Sequence, residues 1–153
     1  MTKKIIPIIL IIISTLSIIF LYNRNKTNNP TKFYLNKEYY NKNNFIQTKE
    51  ISNLKKKSYI LFTYNNYCTL PIPCETIFEE FTKKNNIAIV SIPFENFRKT
   101  YLYKEVKYAP SIIVINKGKI VTYLDANSDN DLPKYQNVSE FENWISKYVY
   151  LTN

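Results

Sequence analysis

Cys68 and Cys74 are the only thiols in a chain of 153 residues, and five residues separate them within YNNYCTLPIPCETIFEEF. Thiols so placed can attack a disulfide, close reversibly on each other, or brace the loop that carries them. The rest of the inventory narrows the alternatives. The chain has no histidine, which removes Ser-His-Asp and Cys-His catalysis and any histidine-ligated metal. Two cysteines cannot supply a four-thiolate zinc site within one chain. A single glycine, Gly118, excludes a P-loop and a G-x-G-x-x-G dinucleotide fingerprint, each of which needs several. Cysteine chemistry, carboxylate chemistry or plain binding remains.

The elements that must position the cysteines are legible from about Phe45. Tyr59 to Tyr64 is a continuous apolar run, as expected of a buried central strand. Glu75 to Lys84 carries Ile77, Phe78 and Phe81 at helical spacing. The cysteine loop thus lies between a strand end and a helix start, where α/β folds place chemistry. Pro73 before Cys74 suits a helix start, and backbone N–H groups at such an end stabilise a thiolate. Further along, Thr48 to Lys57 reads as a short helix, Ile87 to Ile92 as a second buried strand, and Glu95 to Val106 as an amphipathic helix. Ser111 to Ile115 and Lys119 to Leu124 are strands of a hairpin turning at Asn116-Lys117-Gly118. Ser139-Glu140-Phe141-Glu142 fits a capping box opening a last helix with Phe141, Trp144, Ile145 and Tyr148 on its apolar face. Strands alternating with helices predict parallel pairing, the terminal hairpin adding an antiparallel edge to a small mixed sheet.

These residues resemble the thioredoxin-like superfamily over about Phe45 to Leu151. Pro73-Cys74 stands in the place of the family's Pro-Cys pair, Tyr67 in that of the aromatic before the first cysteine, with Thr69 to Pro73 an expanded spacer. Tyr108-Ala109-Pro110-Ser111-Ile112-Ile113-Val114 looks like the cis-proline and its following strand, and Asn116-Lys117-Gly118-Lys119 like the usual hairpin turn. The likeness extends to small membrane-anchored members from low-GC bacteria, including the bacteriocin transport accessory type, to which the Asp125-Ala126-Asn127 turn contributes. It implies a three-layer α/β sandwich with a mixed four- to five-stranded sheet. It further implies Cys68 as attacking thiol, Cys74 as resolving thiol, a Cys68–Cys74 disulfide, and Pro110 in cis facing it. Tyr67 and Ala109 would face the substrate, protein thiols or disulfides would be the partners, and no cofactor is implied. Two departures matter. The spacing is C-x5-C, and Phe62 replaces the buried carboxylate that reductive thioredoxins carry six residues before the first cysteine. No internal base then helps Cys74, which favours an oxidant, an isomerase-like partner or a protein without turnover over an efficient reductase. The alternative is a non-catalytic module whose disulfide is structural and which assists secretion or assembly of a partner protein.

Ahead of this domain, Ile5 to Tyr22 is an uncharged apolar run of eighteen residues, roughly 27 Å as a helix and close to a bilayer's hydrocarbon thickness. It is read as an uncleaved anchor rather than a signal peptide, because cutting after Ser17 would leave Ile-Ile-Phe-Leu-Tyr exposed. The expected organisation is a tail over 1–4, a transmembrane helix over 5–22, a polar tether over 23–44 with a short ordered piece near Phe33 to Tyr40, and the domain over 45–153. Basic residues flank both ends of the run, so charge does not orient it. A cysteine pair favours the oxidising side, placing the domain outside the cytoplasm on a single-pass anchor in the cell membrane. The formal charge of +9 is spread along the chain, and aromatics fall at core spacings rather than beside Lys55-Lys56-Lys57. A nucleic-acid partner is therefore not expected, and the chain should act as a monomer. Asp125 to Asp131 resembles the opening of an EF-hand loop but lacks the sixth-position glycine and has Gln136 where a bidentate glutamate belongs. It reads as a solvated turn with no metal.

Overall fold

Three short, almost fully buried runs make the centre of a five-stranded sheet. In this computed structural model the described residues are 30–65, 70–125 and 127–152. The strands are β1 (Phe45–Gln47), β2 (Tyr59–Tyr64), β3 (Ile89–Pro93), β4 (Ser111–Asn116) and β5 (Lys119–Leu124). Their order across the sheet is β1-β3-β2-β4-β5. β3 runs parallel to both β1 and β2, with Leu61 opposite Val90 and Phe62 opposite Ser91. β4 is antiparallel to β2 and to β5. Parallel pairing requires a crossover, and the helix α1 (Cys74–Asn85) supplies it between β2 and β3. The expected mixed α/β sheet is therefore present, with five strands.

Alternation along β2 sends its side chains to two opposite layers. Phe62 meets Phe78 of α1 edge-on at 5.1 Å between ring centroids, and Phe78 in turn meets Phe141 at 4.7 Å. Phe141 belongs to α4 (Val138–Ile145), so one layer is α1 against the C-terminal helix. A short helix α2 (Phe94–Phe97) follows β3 and packs on β3 and β2. Phe97 is fully buried there beside Tyr103.

The structure departs from the sequence expectations at five places. The compact unit begins at Thr31 rather than Phe45. Phe33 bridges to Val149 and Tyr40 to Ile87, and Leu35, Tyr39 and Tyr40 are buried, so the ordered piece expected within 23–44 joins the core. Second, Phe45–Gln47 is an edge strand, too short to show a period. Third, Thr48 to Lys57 is not a helix but a loop with one 3₁₀ turn at Ser52–Leu54. The Thr48 hydroxyl donates to Glu50 O at 2.6 Å, the local competition that disfavours a helix. Fourth, the helix expected over Glu95 to Val106 divides into α2 and a 3₁₀ turn at Tyr101–Lys104. Thr100 between them is extended, and the Tyr101 hydroxyl donates to Gly118 O at 2.7 Å, which a continuous helix would not reach. Fifth, the last helix is capped by Asn137 and not by Ser139, because the Asn137 side-chain Oδ1 accepts from Ser139 N (2.9 Å) and Glu140 N (3.1 Å). The hairpin turn is as expected. Lys117 (φ 49°) and Gly118 (φ 78°) both take left-handed geometry, as a two-residue I′ turn requires.

The expected tail, anchor and first part of the tether (1–29) lie outside the described residues. Among the described residues no helix is long and apolar enough to cross a membrane.

Candidate active site

Cys74 is the first residue of α1, with Pro73 at the cap, and its side chain is buried at 3% exposure while Ile72 and Pro73 before it are exposed. Its thiol therefore sits at the positive end of the helix dipole, as the proline before it led us to expect. Tyr67 and Cys68, and with Cys68 the expected disulfide, lie outside the described residues.

The sheet brings the second half of the site to the same end. Thr63 of β2 pairs with Ser111 of β4, so the exit of β2 toward the cysteine loop lies beside the entry to β4. The Ala109–Pro110 peptide bond immediately before β4 is cis, as expected, and both residues are half-buried. Asn65, which follows β2, donates from Nδ2 to Ala109 O at 3.1 Å and ties the two loops together.

Phe62 occupies the interior with aromatic neighbours, Phe45 at 5.7 Å, Tyr64 at 5.8 Å and Phe78 at 5.1 Å. The buried polar side chains among the described residues are Ser58, Thr63, Thr82, Ser91 and Ser111, none of them a carboxylate. Glu75, Glu79 and Glu80 of α1 are all exposed. The described interior thus provides no carboxylate base for the thiol at the start of α1.

Sequence reading missed the element that binds the site together. Between β5 and α4 lies a one-turn helix, α3 (Leu132–Gln136), with Pro133 in its first turn. The Tyr135 hydroxyl, buried at 2% exposure, lies 2.8 Å from Leu124 O and 3.1 Å from Pro110 O as donor. Burial pushes the Tyr135 phenol well above its ordinary value, and the charge of the neighbouring Cys74 adds in the same direction. Tyr135 thus touches the cis-proline loop through Pro110 O. Gln136, the next residue, reaches the cysteine loop: its Oε1 accepts from Ile72 N at 3.2 Å and its Nε2 donates to Ile72 O at 2.8 Å. Asp131 and Pro133 signal a helix start in the sequence. Nothing in the sequence indicates that Gln136 meets Ile72. The acids of the preceding turn are used within it, Asp125 Oδ1 accepting from Asn127 N, and Asp131 accepting from Asp125 N and pairing with Lys134 at 2.7 Å.

No protein-family model and no curated protein matches this sequence. Among solved structures the chain is similar to one described as a candidate oxidoreductase with a thioredoxin fold, at 15% identity and a TM-score of 0.49, over 65% of this chain and 91% of that one. The chain itself has a mixed five-stranded sheet, a helix that opens at a cysteine, and a cis-proline at the start of β4.

Proposed function

We propose that this chain is a thiol–disulfide oxidoreductase, held in the cell membrane by its N-terminal apolar segment with the domain on the extracytoplasmic side. Cys68 is the attacking thiol and Cys74 the resolving thiol. One observation carries the reading: a buried cysteine opens α1 at the same end of the sheet as the cis Ala109–Pro110 bond, whose Pro110 O accepts from the Tyr135 hydroxyl. The aromatic packing of Phe62 favours the oxidising direction, because among the described residues no buried carboxylate is present to take the proton of Cys74 and make it an attacking thiolate. In that direction a substrate thiolate attacks Cys68 Sγ, the Cys68–Cys74 bond breaks, and Cys74 leaves as a thiolate. A second substrate thiolate then attacks the substrate sulfur of the mixed disulfide, forming the substrate disulfide and releasing Cys68 reduced. Two electrons pass from substrate to the pair, which a partner disulfide must take up before the next turnover.

The same absence of a base favours a second reading, a structural disulfide in a non-catalytic module that assists secretion or assembly of a partner. Gel-shift thiol trapping across a glutathione redox series separates the two. A redox-active pair titrates within the range of known oxidoreductases, above about −270 mV, whereas a pair still oxidised below about −300 mV is structural and the enzymatic reading fails. Labelling of intact cells with an impermeant thiol reagent after mild reduction tests the side of the membrane; protection of both cysteines would place the domain inside.

A further inference from the structure

The three residues before Cys74 are Pro71, Ile72 and Pro73, and the two prolines have no N–H. The segment therefore has a single main-chain donor, Ile72 N, and Gln136 takes it. Both N–H groups and the oxygen of the Gln136 amide are engaged. Oε1 accepts from Ile72 N at 3.2 Å, while Nε2 donates to Ile72 O at 2.8 Å and to Tyr135 O at 3.0 Å. Only one orientation of the amide satisfies these contacts, since its reversal would set N–H against N–H and oxygen against oxygen. The base of the contact is firm, because α3 is pinned by the Tyr135 hydroxyl at Leu124 O and Pro110 O and its ring packs 5.9 Å from Phe78. The far end is stiff as well. Proline fixes φ at both sides of Ile72, and Pro73 O accepts from Thr76 N at 2.9 Å in the first turn of α1. Holding Ile72 thus holds Pro73 and the start of the helix, where Cys74 is 3% exposed and Ile72 itself 41% exposed.

We propose that Gln136 is a positioning residue that keeps Cys74 covered, through its paired hydrogen bonds to Ile72, and so decides which of the two sulfurs a partner attacks. This rests on the oxidoreductase reading and adds the order of events to it. With the latch closed, mixed disulfides form at Cys68, and Cys74 acts only on the Cys68 mixed disulfide formed when the partner disulfide recharges the pair. With the latch lost, the Pro71–Pro73 segment has no main-chain donor engaged, and Cys74 becomes open to attack in its own right.

The test uses the full chain, reduced, with a short pulse of iodoacetamide and mass mapping of each cysteine between pH 6.5 and 9. In the unaltered protein Cys74 should react at least tenfold slower than in the same chain in denaturant. Gln136→Met keeps the side-chain length but has no amide, and should speed Cys74 at least fivefold at every pH while changing Cys68 less than twofold. Gln136→Glu keeps the acceptor but sets a carboxylate against the Ile72 and Tyr135 carbonyls, and should open Cys74 at least as far. A parallel rise that only tracks a shifted pH midpoint would mean altered thiol acidity rather than access, and would overturn the proposal. An unchanged Cys74 rate in folded Gln136→Met would overturn it too. Hydrogen exchange of Ile72 N–H in the unaltered protein needs no variant, and exchange at the rate of an open loop would equally refute the latch. Because labelling starts from reduced protein, its outcome is independent of the redox titration that tests the oxidoreductase reading.

Discussion

Replacing Tyr135 by phenylalanine isolates the hydroxyl that pins α3 to the cis-proline loop. The ring remains, with its packing 5.9 Å from Phe78, and the oxygen that lies 2.8 Å from Leu124 O and 3.1 Å from Pro110 O is removed. A neutral hydrogen bond contributes about 0.5–1.5 kcal/mol net, and a buried acceptor left without its donor costs about 1–3 kcal/mol. One hydroxyl proton serves the two carbonyls in turn, so the expected loss is about 1–2 kcal/mol at pH 7.5. For a domain of this size that is a fall in Tm of about 4–8 °C. The pH dependence sharpens the test. The folded phenol is raised above its ordinary value, so the stability linked to it is complete below pH 10. Above pH 10 the unfolded chain releases this proton while the folded chain holds it. Stability then falls by about 1.4 kcal/mol per pH unit from this residue until the folded phenol titrates. Tyr135→Phe lacks that component, whereas the other buried tyrosines act alike in both proteins. Urea unfolding at pH 7.5 and pH 11 should therefore show a gap of about 1–2 kcal/mol that closes substantially at the higher pH. Equal stability at pH 7.5, or a gap undiminished at pH 11, would refute the assignment of Tyr135 as a buried donor.

Two further substitutions probe the frame around the site. In Gly118→Ala the added Cβ would lie 1.6 Å from Lys55 O at a residue with φ of +78°. The turn must shift and strain the Tyr101–Gly118 contact, so a loss of at least about 2 kcal/mol in urea unfolding is expected, and a loss under 0.5 kcal/mol would contradict the turn geometry. Asn137→Ala removes the acceptor shared by Ser139 N and Glu140 N and should cost about 1 kcal/mol, while Ser139→Ala stays near neutral. The reverse ranking by thermal melts would restore Ser139 as the cap.

The long runs were readable because their composition admits few alternatives. Tyr59 to Tyr64 is apolar and aromatic throughout, and it forms β2 over those same residues. Lys117-Gly118 is the one place where the lone glycine permits a tight hairpin, and the turn is there. The Phe97–Leu102 region was misjudged for a complementary reason. Its apolar spacing suits a helix, but burying Phe97 while Tyr101 bonds to Gly118 O requires a break that only the neighbouring hairpin imposes.

The same division runs through the site. Residue types and order alone determined that thiol chemistry is available at Cys68 and Cys74. They also placed a proline-led helix start at Cys74, because that depends on local chain chemistry, while the resemblance to thioredoxin-like proteins marked Pro110 as the cis-proline candidate. Only the tertiary structure decided what surrounds them. Asn65 meets Ala109 across 44 positions and Gln136 meets Ile72 across 64, and no local preference encodes either encounter. They arise because parallel pairing of β2 with β3 and the antiparallel return through β4 bring the cysteine loop, the cis-proline loop and α3 to one end of the sheet. A short helix with weak intrinsic propensity is stable in that place because packing and hydrogen bonds from distant segments hold it.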